Sequence, residues 1–282
     1  TGVMYMKEFM FLQPKSVAEA IAWRREYGDQ LVVYNGGTDI VIQLRDRLIS
    51  PAYVMDIKKI PGLDEIRFSE KQGLHIGACV TVGQLGADES VRRYYPYLSE
   101  AALSLGSKQV RNRATCIGNI VNASPLCDTG TPLYIGDAVV HMEGGAGKRS
   151  VPIQEFITFV RRTALGADEI VTGIELPYDP QLKAVFTKIS RRREVDLSTI
   201  CGTVARSGEN WKLAFGAVAP TPVRLPKTEA LLRGKRMTDA LIEEAAALAA
   251  TEVAPIDDVR ASKQYRLDVV QVIVRRGLQA LA

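Results

Sequence analysis

Gln109-Val-Arg-Asn-Arg-Ala-Thr-Cys-Ile-Gly-Asn-Ile-Val-Asn-Ala-Ser-Pro-Leu-Cys-Asp128 is the stretch on which the reading of this chain turns. Gly, Asn and Pro are depleted in helix and strand interiors, so the run predicts a winding loop whose backbone N–H groups can approach a polyanion. Asn119, Asn122, Ser124 and Asp128 stand among apolar neighbours, and polar groups that become buried need partners. An Asp can accept two hydroxyls of a ribityl or ribose chain. Thr115 with the amide of Gly118 can hold a phosphate. The structural alternative is an Asx-rich loop that satisfies its own backbone.

An earlier run, Val33-Tyr-Asn-Gly-Gly-Thr-Asp-Ile40, has the same character. Leu31 to Tyr34 reads as a short buried strand, and Ile40 to Leu48 as a helix with apolar residues at 40, 41, 44 and 48. A strand that ends in Asn35-Gly36-Gly37-Thr38-Asp39 and feeds a helix aims unsatisfied N–H groups and the positive end of the helix dipole at one point, which favours phosphate. Gly36 and Gly37 allow close approach and positive φ. Asn-Gly is also a common hairpin signal, so the loop alone leaves both readings open. Two such loops in one chain point to a wrapped, phosphate-bearing cofactor.

Working outward, Ser16 caps a predicted helix to Tyr27, with Glu19 completing a capping box and Gly28 stopping it. Tyr53 to Ile57 is a strand, so the first sixty residues read as a βαβ-like unit. A hairpin over Glu65–Ala78, a helix opened by Thr81 and a helix from Tyr97 to Leu105 lead to the long loop. Ala138–Met142 and Arg149–Ile153 are strands about a turn at Gly144-Gly-Ala-Gly147, followed by a helix over Ile153–Val160 and a strand over Glu169–Leu176. Tyr178-Asp-Pro180 marks the boundary. Beyond it come three strands (Ala184–Ile189, Ile200–Arg206, Trp211–Val218), a stiff connection through Pro220, Pro222 and Pro226, and helices over Met237–Ala250 and Lys263–Leu281. Antiparallel strands followed by helices make an α+β arrangement, with one domain over 1–177, split near residue 60, and a second over 178–282.

The chain has 282 residues, 46% apolar and 24% charged, with a net charge of +4. That is an ordinary globular composition, and the basic run Arg191-Arg-Arg193 does not by itself imply nucleic acid. It can be a solvated strand end, or it can face an anionic cofactor or an acidic partner. Cysteines stand at 79, 116, 127 and 201 without a C-x-x-C, which argues against a zinc or self-contained iron–sulfur site. The even count leaves two disulfides possible, but a chain this long does not need them, and free, packed thiols in a reducing cytoplasm are expected. The apolar run from Met4 is too short and interrupted for a signal peptide, no stretch is long enough for a membrane span, and a soluble protein is expected. Gly144-Gly-Ala-Gly-Lys-Arg-Ser150 fails as a P-loop, because Met142 stands where its first Gly belongs and Arg149 follows the Lys. His75 and His141 are the two histidines and fall in strands, so neither a histidine metal site nor a triad is expected.

Taken together, the motifs resemble the FAD-binding medium subunit of the molybdenum hydroxylases, the xanthine dehydrogenase and carbon monoxide dehydrogenase family. They are Asn-Gly-Gly-Thr-Asp at 35–39, Gln-Val-Arg-Asn-Arg-Ala-Thr at 109–115, Gly-Asn-Ile at 118–120, Ala-Ser-Pro-x-x-Asp at 123–128 and Ser-Arg-Arg-Arg-Glu at 190–194. The resemblance implies a two-subdomain FAD-binding fold of the vanillyl-alcohol-oxidase and MurB type, followed by a small domain of three strands and helices. It implies that Val33, Tyr34, Asn35, Gly36, Gly37, Thr38, Asp39 and Ile40, with Thr115, Ile117, Gly118 and Asn119, hold the FAD diphosphate. Ser124 belongs to the same loop, and Asp128 would hold the ribityl and phosphate region. Val171 and Lys188 would touch the adenine or flavin end, and Leu105 and Leu197 would flank the isoalloxazine. Two positions depart from the family pattern: Ile117 stands for a usual Gly, and Val195 for a common acidic residue. The cysteine-bearing insertion of the 4-hydroxybenzoyl-CoA reductase flavin subunit is absent.

The function so implied is electron transfer. A large molybdopterin subunit oxidises the substrate, a small [2Fe–2S] subunit relays electrons, and FAD on this chain passes them to an acceptor such as NAD⁺, in a dimer of heterotrimers. The flavin does the redox chemistry, and no acid/base pair for an organic substrate is evident, so no catalytic or metal-binding residue is expected here. A free-standing flavin oxidase would need a larger substrate domain than the hundred or so residues after Pro180. A non-enzymatic nucleotide-binding scaffold is the third reading.

Overall fold

The computed structural model describes residues 6–282. The first two residues of the apolar run, Met4 and Tyr5, lie outside the described residues. The chain opens with a three-stranded parallel sheet in the order Met10–Leu12, Tyr53–Asp56, Leu31–Tyr34. The sequence reading missed the edge strand Met10–Leu12, whose three residues carry no alternation. Ser16 caps the helix Val17–Tyr27 by accepting from the Glu19 N–H at 3.1 Å. The capping box is not completed: the Glu19 carboxylate reaches past Ser16 to the Lys15 N–H at 2.6 Å. Gly28, at φ +49, stops the helix.

The second sheet has five antiparallel strands in the order Ile66–Ser69, Gly73–Gly77, Ile170–Leu176, Val139–Gly144, Gly147–Pro152. Its central strand arrives last in sequence. Gly144-Gly-Ala-Gly147 is a hairpin turn, as expected. The helix expected over Ile153–Val160 ends at Phe156, and Ile157–Phe159 turns back on Arg162–Thr163 as a small hairpin. β-Branched and aromatic residues favour extended backbone there.

The third sheet is antiparallel and runs Lys183–Ile189, Ile200–Ser207, Asn210–Gly216, Val223–Arg224. It has a fourth, two-residue strand beyond the expected three. Pro226 is not part of a linker: it occupies the first turn of a helix, Pro226–Leu232, where its missing N–H is not needed. Helices Asp239–Thr251 and Lys263–Leu281 follow, each capped by a hydroxyl, Thr238 and Ser262.

Alternation along Ile200–Ser207 sends its residues to two cores. Ile200 and Val204 face the helices with Trp211, Phe215, Val270, Ile273 and Leu278. Cys201 and Ala205, with Phe186 and Ala214, face the N-terminal part and join its core. Helix Lys263–Leu281 lies close on the sheet, since a Cβ on Gly277 would meet Val204 at 2.6 Å. The third sheet therefore has helices on one face and the first two sheets' core on the other.

Candidate functional site

The run 109–128 is not one continuous loop. It contains two short helices, Lys108–Arg111 and Cys116–Val121, started by Ser107 and Thr115 hydroxyls that accept from Val110 and Gly118 N–H groups. Side-chain caps and burial outweigh the poor propensities of Gly118 and Asn119 over so few residues. The Gly118 amide donates to Thr115 Oγ1 at 2.9 Å, so that amide is engaged within the chain, while the bond leaves the Thr115 hydroxyl hydrogen unused. Ile117 is helical, with its side chain 3% exposed in the core. Its backbone does not require the glycine it replaces, and its N–H donates to no other described residue.

The two runs meet across bare backbone. A Cβ on Gly36 would stand 2.3 Å from the Arg113 carbonyl oxygen and 3.0 Å from Ala114 Cα. Gly37 has φ +84, and a Cβ there would meet the Tyr34 hydroxyl at 2.7 Å. Polar contacts stitch the same seam: Arg113 donates to the Tyr34 hydroxyl at 3.2 Å, and Asn122 to Asp39 at 3.1 Å. Asn35 Nδ2 donates to the Ala78 carbonyl at 2.6 Å, and Ala78 N–H donates to Thr172, next to the buried Val171. Lys58 lies beneath, donating to the Asn35 carbonyl at 3.0 Å and to Asp56 at 2.6 Å. Val33 pairs with Met55 in the parallel sheet. The helix after the loop is shorter than expected, Ile40–Arg45.

Backbone donors line this seam. The N–H groups of Gly36, Thr38, Asp39 and Ile40 donate to no other described residue, and Asn35 Oδ1 is buried without a donor. Buried or half-buried polar groups are seldom left so. A row of N–H donors at a strand-to-helix turn suits a diphosphate, and the glycine seam leaves room for no side chain between the runs. These residues fit the FAD diphosphate.

A second gathering lies where the third sheet meets the first two. Asp128 is 4% exposed; it accepts from Lys188 Nζ at 2.7 Å and from the Ser198 hydroxyl. Lys188 also donates to the Ser104 carbonyl at 3.0 Å, which brings Leu105 alongside, and Leu197, 54% exposed, precedes the buried Ser198. Burial pushes the Asp128 carboxyl up from its ordinary range, against the pull of Lys188. Both Asp128 oxygens have a partner within the chain, and each keeps acceptor capacity for a further donor such as a sugar hydroxyl. Asn119 is likewise engaged, its Oδ1 accepting from Thr129 Oγ1 at 2.7 Å and the Cys127 thiol at 2.9 Å. Ser124 is a local turn residue that accepts from Leu126 N–H at 3.2 Å.

Sequence reasoning missed Ser198, Lys58, Thr129 and Arg161. Each acts through a partner distant in sequence or through a backbone carbonyl, so no spacing marks it. Val195 takes φ +54 with its side chain exposed, and its carbonyl accepts from Arg192 at 2.8 Å. All four cysteines are free and buried. No group of three or more metal-binding side chains occurs among the described residues, and none of their helices is long and apolar enough to cross a membrane.

The family described as the FAD binding domain in molybdopterin dehydrogenase matches residues 7–179, and the CO dehydrogenase flavoprotein C-terminal domain matches residues 185–281. The chain is 30% identical to the glyceraldehyde dehydrogenase medium chain of Sulfolobus acidocaldarius, over 99% of this chain and 100% of that protein. It is 34% identical to the putative xanthine dehydrogenase FAD-binding subunit of Escherichia coli K12, over 86% and 85%. Its structure is similar to a chain of the carbon monoxide dehydrogenase from Hydrogenophaga pseudoflava, with a TM-score of 0.93, 30% identity and 98% coverage of both chains. This chain is therefore an FAD-binding oxidoreductase subunit of the molybdenum hydroxylase family, whose medium chains bind FAD while molybdopterin and iron–sulfur clusters belong to other subunits.

Proposed function

We propose that this chain carries electrons from a small [2Fe–2S] subunit, fed by a large molybdopterin subunit, through FAD to an external acceptor such as NAD⁺. The assembly is a cytoplasmic dimer of heterotrimers. The observation that carries the reading is the seam at Gly36, where two runs with unpaired N–H donors meet without an intervening side chain. Residues 1–177 form the FAD-binding domain and 178–282 the C-terminal domain.

Bound FAD supplies two-electron chemistry with the option of one-electron steps. Asn35, Gly36, Gly37, Thr38 and Ile117 hold the diphosphate through backbone donors, with Val33, Tyr34, Asp39 and Ile40 shaping their loop. Thr115 and Gly118 fix the turn that presents Ile117. Lys188 sits at the junction, anchored by Asp128, with Leu105 and Leu197 beside it to flank the flavin and Val171 at the first seam next to Thr172. Asn119 and Ser124 order the connecting turn.

The test is the visible spectrum of the purified chain with added FAD. A flavin spectrum that returns after deflavination and FAD addition is expected. A protein that stays colourless and indifferent to FAD refutes the reading.

A further inference from the structure

Asp39 sets a problem for the site just described. It is a carboxylate, 53% exposed, at the mouth of the helix that follows the Gly-Gly-Thr turn. An anion bound on the neighbouring N–H groups would be repelled by it. The charge is met by a third element that the motifs do not mark. Arg161 sits at the tip of the hairpin between Ile157–Phe159 and Arg162–Thr163. Its backbone has φ +58, a region that non-glycine residues rarely adopt, and its N–H donates to the Ala123 carbonyl at 2.9 Å. Its guanidinium donates to the Asn122 side-chain oxygen and carbonyl and lies 3.9 Å from Asp39 Oδ1. Asn122 Nδ2 in turn donates to Asp39 Oδ1 at 3.1 Å.

We infer that Arg161 is a positioning residue for diphosphate recognition. Through Asn122 it orients the Asp39 carboxylate and offsets its charge, so that the first loop accepts an anion. This rests on the two-loop reading of the FAD site. The ion pair is solvent-exposed on both sides, so its worth to folding is small. Its effect falls on the affinity for a dianion.

The experiment titrates deflavinated protein with FAD, with ADP, which keeps the diphosphate, and with riboflavin, which lacks it. Arg161→Ala is expected to weaken FAD and ADP about tenfold, the scale of one charge-assisted contact, and to leave riboflavin unchanged. Asp39→Asn in the Arg161→Ala background is expected to restore most of the lost affinity. Equal weakening of all three ligands, unchanged affinity for FAD and ADP, or no recovery on Asp39→Asn would overturn the inference. Gly36→Ala separates the two ways of failing: FAD and ADP binding that survives it overturns the loop assignment itself.

Discussion

Gly36→Ala tests the seam most directly. Gly36 is not among the positive-φ glycines, so the substitution acts by steric overlap alone. The added carbon would stand 2.3 Å from the Arg113 carbonyl oxygen and 3.0 Å from Ala114 Cα. Both are backbone atoms, and Arg113 and Ala114 are held by N–H bonds to Val110 at 3.0 and 2.7 Å. No side chain can swing away, so the first loop must lift by about 1 Å, the gap between this contact and ordinary van der Waals separation. Overpacking of this kind costs about 1–3 kcal/mol. If the loops must return to their native spacing to hold FAD, that cost appears in binding, and the dissociation constant rises about 10- to 100-fold. Flavin fluorescence quenching in a titration of deflavinated protein measures it, with thermal unfolding in parallel. The folded variant is expected to lose between about half and most of the stabilisation that FAD gives, which is about 2.7 kcal/mol at a hundredfold excess over the parent's dissociation constant. A variant that binds FAD within twofold of the parent would refute the reasoning.

Lys188→Met leaves the Asp128 carboxylate buried and unpaired, and is expected to cost about 3–5 kcal/mol in urea unfolding, with Lys188→Met/Asp128→Leu less destabilised than either alone. Asp258 is held down to about 2: burial works against it, and the Arg260 and Ala261 N–H groups with the Arg266 guanidinium outweigh that. Because the folded value lies below the unfolded one, this stability is present above pH about 4 and lost as pH falls toward 2. Unfolding titrations should show a loss of about 2 kcal/mol over that window, and Asp258→Asn should abolish that part of the pH dependence. Burial pushes Cys79, Cys116 and Cys127 up to about 12 and Cys201 well above its ordinary value. Alkylation at pH 8 should therefore spare all four in the folded protein and modify all four in denaturant; rapid native labelling would contradict the packing.

Much of the architecture was legible because local signals agreed. The helix Lys263–Leu281 follows a Ser262 cap, and the strands after Pro180 alternate and end at polar turns. The cofactor loops were legible as motifs, because glycines and small polar residues crowd where backbone must meet backbone. Their internal form was not: Thr115 and Ser107 caps turn an apparent coil into helical turns. The intrachain partners of Asp128 and Asn119 were not legible, because Lys188, Ser198 and Thr129 answer no fixed spacing. Arg161 was invisible for the same reason, since its importance lies in a carboxylate on another loop.

The seam also sets the order in which the site can come into being. The first loop belongs to a local unit, a strand, a short helix and a parallel strand between Leu31 and Asp56, whose contacts close over few residues. Its opposing wall comes from a separation of 79 residues at Tyr34–Arg113 and 83 at Asp39–Asn122, and the Lys188–Asp128 junction spans a further 60. Non-local contacts carry the larger loop-closure entropy and form later. A chain emerging from the ribosome thus holds half a cleft until its middle third has been made, and gains a seat for the flavin's far end only once the third sheet has docked.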